Sequence, residues 1–347
     1  MPTDSPPIAR STARPTMKDI AEHAGVSRQL VSMVLRNLSG PKQETRERIM
    51  NVASELGYHP DLAARMLSQR RSHQIGVIYT MHQPFEVDLV ESLFLAAAKS
   101  AYSIVLAPLA PGRNQETAMA ELMQQRIEAV IVLAAEDGLA MVPPLALQLP
   151  TVQLTGPMAN FPADDVRVDN RSGMRLAVEH LVQLGHTKIV HVDGGVGPNA
   201  AERRNGYSEN MRAFDLEQHV DIIASAYTEE DGAHAALSLL GRDIMPSAVI
   251  CCNDRCALGL VETLVRRGVR IPEDLSVVGY DDSSVASLPF LNLTTVRHSP
   301  TRLAEIAIDV LVRRLDDGSE FPPSRTLVDA ELVVRTTTGP PRRPLEL

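Results

Sequence analysis

TMKDIAEHAGVSRQLVSMVLRN, residues 16–37, has the pattern of two short helices joined by a tight turn. Thr16, followed three residues later by Asp19, forms a capping box, which satisfies backbone amides at the start of a helix. Gly25 predicts the turn, because glycine takes positive φ without a steric cost. Ser27 is placed to cap the second helix. The stretch therefore predicts a helix-turn-helix.

Each of these helices has one apolar and one polar face. Helical spacing turns the following side chains inward: Ile20, Ala21, Ala24, Leu30, Val31 and Val34. Arg28, Gln29 and Ser32 are left outward near the N-terminal end of the second helix. That end of a recognition helix meets base edges in the major groove of DNA. We therefore predict a DNA-binding element rather than an ordinary surface hairpin of helices.

Further motifs follow along the chain in a fixed order. They are KDIAEHAGVS (18–27), VSMVL (31–35), TRERI (45–49), ELGYHPDLAARML (55–67), DNRSGMRLAVEHLVQLGHTKIVHVDG (169–194), R-x-x-GY (203–207), CCNDRCALG (251–259) and IPEDLSVVGYDD (271–282). The ordered set resembles the lac/galactose repressor (LacI/GalR) family and covers residue 16 to about 337. The resemblance implies an α/β protein: a three-helix helix-turn-helix head, then a two-lobed, doubly wound parallel-sheet core like that of periplasmic binding proteins.

Five segments are expected: a disordered arm (1–15), the helix-turn-helix head (16–58), a hinge-helix linker (59–72), an effector-binding and dimerisation core (73–340) and a tail (341–347). In the core, apolar runs that predict buried strands alternate with helical patterns, which is typical of a parallel sheet. These runs lie at 74–80, 103–109, 129–134, 151–155, 188–194, 247–253 and 275–281. By the resemblance the chain crosses between lobes near 168, 299 and 327. Lobe 1 is then about 73–168 and 300–327, and lobe 2 about 169–299 and 328–340.

Charge is divided unevenly along the chain. The net charge is −9, yet residues 1–75 carry eleven Lys/Arg and seven Asp/Glu, a net of +4, which leaves −13 for the rest. A basic head on an acidic body concentrates the attraction for phosphates in one place. No apolar run approaches the ~20 residues of a membrane span. The N-terminus lacks the apolar stretch of a secretory signal, and the three clustered cysteines fit a reducing compartment, so we expect a cytoplasmic protein.

Arg28, Gln29 and Met33 match the base-reading positions of the family. Arginine can bind guanine and glutamine can bind adenine through two hydrogen bonds each. Simple phosphate contact is the alternative for these two residues. Met33 stands where arginine is usual and can offer only apolar contact, so a different operator preference is expected. Contacts that position the head on the DNA backbone are expected from Thr16, Ser27, Ser32, Arg36, Thr45 and Arg46.

The linker sequence DLAARMLS (61–68) has helical propensity but is too short to be stable alone. The resemblance implies a hinge helix that orders on operator DNA beside its mate from a second subunit. Ala63 and Ala64 would permit close approach, and Leu67 would wedge between base steps of the minor groove. The alternative is a flexible tether.

Arg203, Asn253 and Asp281 lie at or after the carboxyl ends of predicted strands and match family positions that grip the effector. Phe85 and Tyr227 match places where aromatic side chains line the cleft, although each could equally be a core residue. Helix capping is the alternative for the polar residues, and it is the role we expect for Asp254 and Asp282. Ligand sites of doubly wound sheets lie beyond the carboxyl ends of the strands.

The motifs in this sequence that could belong to an enzyme are incomplete. GGVG (194–197) is not G-x-G-x-x-G, and it lacks an acidic partner for a ribose. Cys252 and Cys256 could touch one metal, but no second pair has matching spacing, so we expect buried core cysteines. An enzyme on this core and a periplasmic sugar receptor are therefore both disfavoured, and neither a cofactor nor a metal is expected.

The sequence predicts an effector-controlled regulator of transcription, most simply a repressor, that binds a near-palindromic operator as a homodimer. A dimer is expected because one head reads only a half-site. The tail TTTGPPRRPLEL has no apolar heptad that would make a tetramer. The effector is expected to be a sugar or related small metabolite. An activator, or a repressor that needs its ligand as corepressor, is the alternative.

Overall fold

The described part of the N-terminal unit contains three helices: α1 (Met17–Ala24), α2 (Arg28–Leu35) and α3 (Gln43–Glu55). The structure, a computed structural model, describes residues 15–35, 39–58, 71–80, 84–110, 112–133, 142–156, 163–197, 199–318 and 322–342. The chain divides into two units, residues 1–72 and 73–347. A small apolar core holds the three helices together and consists of Ile20, Ala21, Ala24, Val31, Val34, Ile49 and Ala53.

Local hydrogen bonds fix the ends of these helices as the sequence predicts. The Thr16 amide donates to Asp19 Oδ2 over 2.7 Å, and the Asp19 amide donates back to Thr16 Oγ1 over 3.4 Å. Gly25 takes the left-handed conformation with φ 62°. Ser27 Oγ accepts from the Leu30 amide over 3.2 Å at the start of α2. Lys42, at the start of α3, makes no side-chain capping bond.

The second unit alternates strands and helices along the chain. Its elements in order are β1 (Gln74–Thr80), α4 (Pro84–Lys99), β2 (Ser103–Leu109), α5 (Gln115–Gln124), β3 (Ala129–Leu133), α6 (Val142–Ala146), β4 (Thr151–Leu154), β5 (Asp164–Val168), α7 (Asn170–Gln183), β6 (Ile189–Val192), α8 (Ala200–Ala213), a 3-10 turn (Glu217–His219), β7 (Asp221–Ile223), α9 (Glu229–Leu240), β8 (Ala248–Cys251), α10 (Asp254–Arg266), β9 (Ser276–Asp281), β10 (Thr294–Arg297), α11 (Pro300–Asp317), β11 (Arg325–Val328) and β12 (Glu331–Val333).

Two six-stranded sheets result, and each belongs to one lobe. The first has the order β11-β5-β4-β3-β1-β2 and the second the order β12-β10-β9-β8-β6-β7. Among the described residues every pairing is parallel except that of β12 with β10. Because consecutive parallel strands need crossover connections, helices cover both faces of each sheet. The predicted doubly wound, two-lobed α/β fold is confirmed.

The chain passes between the lobes three times. The crossings follow β5 at Asp169, follow β10 at 298–299, and join β11 to β12 through 329–330. The last crossing begins directly after Val328, close to the predicted position near 327, because β11 pairs with β5 as far as Val168. Each lobe is therefore assembled from separate pieces of chain.

In the second lobe, α9 and α10 approach each other at two glycines. A Cβ added at Gly232 would lie 2.0 Å from the carbonyl oxygen of Cys256, and one at Gly259 would lie 1.9 Å from that of Glu229. Neither position has room for a side chain. Among the helices described, none is both long and apolar enough to cross a membrane.

Candidate DNA-binding surface and effector site

The first turn of α2 presents the predicted base-reading residues. Arg28 and Gln29 are exposed, whereas Ser32 and Met33 are partly buried. Met33 turns toward the loop before α3, since a Cβ added at Gly40 would lie 3.3 Å from Met33 Cε. The surface therefore offers two long hydrogen-bonding side chains with an apolar patch beside them.

The residues predicted to position the head have different neighbours. Thr16 and Ser27 are exposed, although their hydroxyls cap helices. Arg46 Nη1 donates to the Val34 carbonyl oxygen over 3.4 Å, which ties α3 to the end of α2. Thr45 is partly buried. Arg36, Ala63, Ala64 and Leu67 lie outside the described residues.

Arg203 is the centre of the polar cluster at the carboxyl edge of the second sheet. It is 5% exposed and lies in the first turns of α8. Its Nη2 donates to Asp281 Oδ1 over 3.2 Å, and its Nη1 donates to the Cys252 carbonyl oxygen. The guanidinium carbon lies 3.7 Å from the centre of the Tyr280 ring, in a cation–π contact. The structure thus brings Arg203 and Asp281 together.

Asp281 ends β9 in a strained turn. Its φ is 109° and that of Asp282 is 50°, a region that residues other than glycine rarely adopt. Burial raises the pKa of Asp281 to about 6, although the neighbouring Arg203 favours the charged carboxylate. The carboxylate is therefore held, poorly solvated, at the carboxyl end of its strand, with one arginine as counter-ion.

Phe85 approaches this cluster from the first lobe. It begins α4, is 8% exposed, and packs edge-on against His298 with ring centroids 4.1 Å apart. His298 Nε2 lies 3.8 Å from Asp281 Oδ1. Burial lowers the pKa of His298 to about 3, so its imidazole is neutral near pH 7. Phe85 and Asp281 are therefore linked through one buried ring at the junction of the lobes.

Tyr227 is partly buried and packs on the turn after β6. A Cβ added at Gly194 would lie 2.5 Å from its Cζ, and one at Gly197 would lie 2.3 Å from its Cε2. The glycines of GGVG thus make room for an aromatic ring rather than for a phosphate. The Tyr227 carbonyl oxygen accepts from Asn253 Nδ2 over 3.2 Å.

The capping roles expected for Asp254 and Asp282 are wrong. Asn253 caps α10, because its Oδ1 accepts from the Cys256 amide over 2.9 Å. Asp254 instead accepts from the Ser283 amide, the Ser283 hydroxyl and the Thr295 hydroxyl, so it connects α10 to the turn after β9 and to β10. Asp282 pairs with Arg297 and Arg335 at 2.6 Å each. Effector contact by Asn253 stays a prediction. Both polar atoms of its side chain make hydrogen bonds within the protein, Oδ1 with Cys256 and Nδ2 with Tyr227.

Three residues of the cluster were missed in the sequence: Asn170, Glu202 and Tyr280. Asn170 Oδ1 accepts from Arg203 Nε over 3.1 Å. The only sequence signal was its place directly after Asp169 at a lobe crossing. The cysteines are free and buried, and the described part of the chain has no group of three or more metal-binding side chains.

Comparison with known proteins agrees with this architecture. Residues 16–61 match the family "Bacterial regulatory proteins, lacI family", and residues 178–338 match a "Periplasmic binding protein-like domain". The HTH-type transcriptional repressor PurR of Haemophilus influenzae is 30% identical over 331 residues, which is 92% of this chain and 97% of that protein. The ribose operon repressor of the same organism is 29% identical over 317 residues, covering 90% and 95%.

A crystal structure of the Lac repressor dimer bound to operator and the anti-inducer ONPF superposes with a TM-score of 0.81 at 27% identity, covering 94% of this chain and 100% of that one. A helix-turn-helix head followed by a two-lobed ligand-binding core defines a ligand-controlled regulator of transcription. The chain belongs to the LacI family of bacterial regulatory proteins, and it is a DNA-binding repressor under the control of a ligand.

Proposed function

We propose that the effector is a small, neutral, hydroxyl-rich molecule, a sugar or a related metabolite, bound by Arg203 and Asp281 between the lobes. The observation that supports this proposal is the Arg203–Asp281 pair at the carboxyl edge of the second sheet. Only the His298 ring separates this pair from Phe85 of the first lobe. A carboxylate accepts from adjacent hydroxyls, and a guanidinium donates to ring or hydroxyl oxygens. Because the two charges neutralise each other, the site favours a neutral ligand over an ionic one.

On the DNA side, Arg28 and Gln29 are proposed to read base edges, with Met33 in apolar contact with a thymine methyl. The linker residues 59–72 would form the hinge that joins the head, 16–58, to the core, 73–340. Movement of the lobes on ligand binding would shift the paired hinges and change operator affinity. Coupling of this kind is typically ~1–3 kcal/mol, or roughly 5- to 150-fold. Such a regulator works in the cytoplasm, without enzymatic activity, cofactor or resident metal.

A homodimer on a near-palindromic operator fits the exposed apolar residues of the core. Val87 and Leu95 on α4 are 55% and 69% exposed, and Leu106 on the edge strand β2 is 37% exposed. In the second lobe Val265 and Phe290 are 53% and 76% exposed. Apolar side chains that cluster on one surface mark interaction sites. A second copy of this chain is the occupant proposed for the α4–β2 surface.

The test begins with selection of an operator from random duplex DNA by the full-length protein. Fluorescence anisotropy then follows release of that operator by neutral sugars, with D-ribose as the first probe because a relative is named a ribose operon repressor. A sugar that releases the operator from the wild type but not from Asp281→Asn supports the proposal. A ligand that strengthens operator binding would indicate corepression. If the same sugar concentration releases the operator from the wild type and from Asp281→Asn, the effector binds elsewhere.

A further inference from the structure

A partly buried group of charges joins the two lobes beside the effector site. Asp165 and Arg167 lie two residues apart on β5, so they share one face of the first sheet. Glu202 lies on α8 of the second lobe, and its Oε1 accepts from Arg167 Nη1 over 2.8 Å. The side chains of Asp165 and Arg167 are only 10% and 11% exposed. The side chain of Glu202 is 34% exposed, so this hydrogen bond between the lobes is buried on the side of the first lobe and partly open on the side of the second.

Glu202 also reaches the effector-binding arginine. Its Oε2 accepts from Asn170 Nδ2 over 3.0 Å, and Asn170 Oδ1 accepts from Arg203 Nε over 3.1 Å. A continuous chain of hydrogen bonds thus runs from Arg167 in the first lobe to Arg203 in the second. If the bond between Arg167 and Glu202 breaks, this chain of hydrogen bonds no longer connects Arg203 to Arg167.

Asp165 is the second carboxylate within reach of Arg167. Its Oδ2 lies 3.2 Å from Arg167 Nε, yet within the described structure both carboxylate oxygens are buried and neither accepts a hydrogen bond. A buried polar group without hydrogen bonds is costly, and a charged one more so. One guanidinium therefore lies between two carboxylates, one from each lobe, and is hydrogen-bonded to only one of them.

We propose that Arg167, Asp165 and Glu202 are positioning residues of the effector site, and that Arg167 exchanges partners when the lobes move. In the arrangement seen here Arg167 donates to Glu202. In the other arrangement Glu202 moves away with α8, and Arg167 donates to the oxygens of Asp165. The chain of hydrogen bonds from Arg203 through Asn170 and Glu202 to Arg167 is then broken. The proposal rests on the proposed function in one respect, that the lobes adopt two arrangements.

If Arg167 exchanges partners in this way, the near-isosteric substitutions Glu202→Gln and Asp165→Asn shift the balance between the two lobe arrangements in opposite directions. Glu202→Gln weakens the bond that holds the arrangement seen here, so it favours the other one. Asp165→Asn weakens the alternative partner, so it favours the arrangement seen here. Each substitution removes the charge of the acceptor but keeps an amide oxygen, so part of the stabilisation from the charged hydrogen bond is lost, and the ratio of the two arrangements should change several-fold. A purely structural role would loosen the lobe junction in both variants alike.

The experiment measures the distance between the lobes in the full-length chain by double electron–electron resonance. Spin labels are placed at Glu116→Cys on α5 and Ser238→Cys on α9, both exposed, while the native cysteines are buried. Labelled protein is diluted into an excess of unlabelled protein, which suppresses distances between subunits. Glu209→Gln is the matched control, because Glu209 pairs with Arg171 inside the second lobe at 3.3 Å.

We expect the populations of Glu202→Gln and Asp165→Asn to shift in opposite directions from the wild type, and those of the double variant to lie between them. Glu209→Gln should match the wild type. Shifts in the same direction, or distributions that do not change, would overturn the proposal. If Glu202→Gln fails to fold, Asp165→Asn alone still tests the proposal. In that variant the distribution of distances between the spin labels must narrow toward the arrangement seen here. No DNA or effector is present, so a wrong assignment of the effector would leave this result untouched.

Discussion

Arg203 Nη2 lies 3.2 Å from Asp281 Oδ1, so the two side chains proposed to bind the effector are each other's partners. A buried guanidinium whose counter-ion is removed loses much more than the pair itself contributes. The pair therefore holds the site in shape before a ligand arrives. An effector hydroxyl must be inserted beside this ion pair or must replace it.

Asp281→Asn should weaken effector binding by roughly 10- to 150-fold, because a hydrogen bond to a charged group is worth about 1.5–3 kcal/mol. Asp281→Ala should show the same loss together with a lower melting temperature, since Arg203 is then left unpaired. Calorimetry with the sugar found in the release screen measures the affinity. Operator affinity without effector should match the wild type in both variants. Wild-type effector affinity in Asp281→Ala would show that this residue is no effector contact.

Arg28→Ala or Gln29→Ala should cost about 1–3 kcal/mol on the selected operator and little on random DNA, because base contacts carry the specificity. Anisotropy at one fixed salt concentration compares the two DNAs. Arg48→Ala removes an exposed positive charge from α3 and controls for charge alone. Equal losses on operator and random DNA would reassign Arg28 and Gln29 to contacts with the DNA backbone.

Asp254 should make the stability of the core depend on pH. Burial and the neighbouring Asp281 raise its pKa to about 8, against an ordinary value of 3.8. The folded chain therefore binds the extra proton between about pH 4 and 8, and the stabilisation from this proton is lost as pH rises toward 8. The stability advantage of the wild type over Asp254→Asn should shrink from pH 5 to pH 8, by at most about 1.4 kcal/mol per pH unit. Urea unfolding at several pH values measures this difference. A constant difference would show that Asp254 keeps an ordinary pKa.

Gly259→Ala should destabilise the second lobe by about 3 kcal/mol, the upper end of the usual range for overpacking, because the added methyl would meet the Glu229 carbonyl oxygen, and backbone cannot rotate away as a side chain can. Gly241→Ala is the matched control: it ends the neighbouring helix with φ −79°, and its Cβ would lie 3.6 Å from the nearest atom. Thermal unfolding measures both. A melting temperature of Gly259→Ala equal to that of the control would mean that α9 and α10 are further apart than described.

Leu95→Asp should turn the dimer into monomers, because it places a charge in the apolar surface proposed to pack against a second copy. Sedimentation velocity at micromolar concentration measures the oligomeric state. Leu147→Asp changes an even more exposed leucine beside α6, which packs on the opposite face of the first sheet from α4, and this variant should remain dimeric. A wild-type monomer or stable tetramer would contradict the proposed assembly.

Sequence patterns located the strands whose residues are apolar. All seven predicted strands are present, but five others, β5, β7, β10, β11 and β12, were not predicted. The strand β5 was missed because DDVRV contains three charged residues. These charges are buried because partners distant in sequence neutralise them: Asp164 with Arg314, and Arg167 with Glu202. Pairing of this kind leaves no periodic signal. The strands β7 and β12 are three residues long, too short for a pattern to be read.

The candidate site could be predicted only in part. Arg203 and Asp281 were identified by their place after strands and by family motifs, and the fold brings them into contact. Asp254 and Asp282 were misjudged, because local sequence shows a carboxylate near a helix start but not the hydroxyls or arginines that arrive from later strands. Glu202 was missed, because its partner lies in the other lobe.

The three crossings also set an order in which the molecule can be completed on the ribosome. The first sheet is left without its edge strand β11 and its covering helix α11 until residues 300–328 have been synthesised, after nearly all of the second lobe. The head, in contrast, consists of one continuous stretch near the N-terminus. A nascent chain therefore lacks part of the cover of the first sheet while residues 169–317 are being synthesised. A messenger RNA truncated between the codons for residues 170 and 300 would encode the whole helix-turn-helix but an incomplete first lobe.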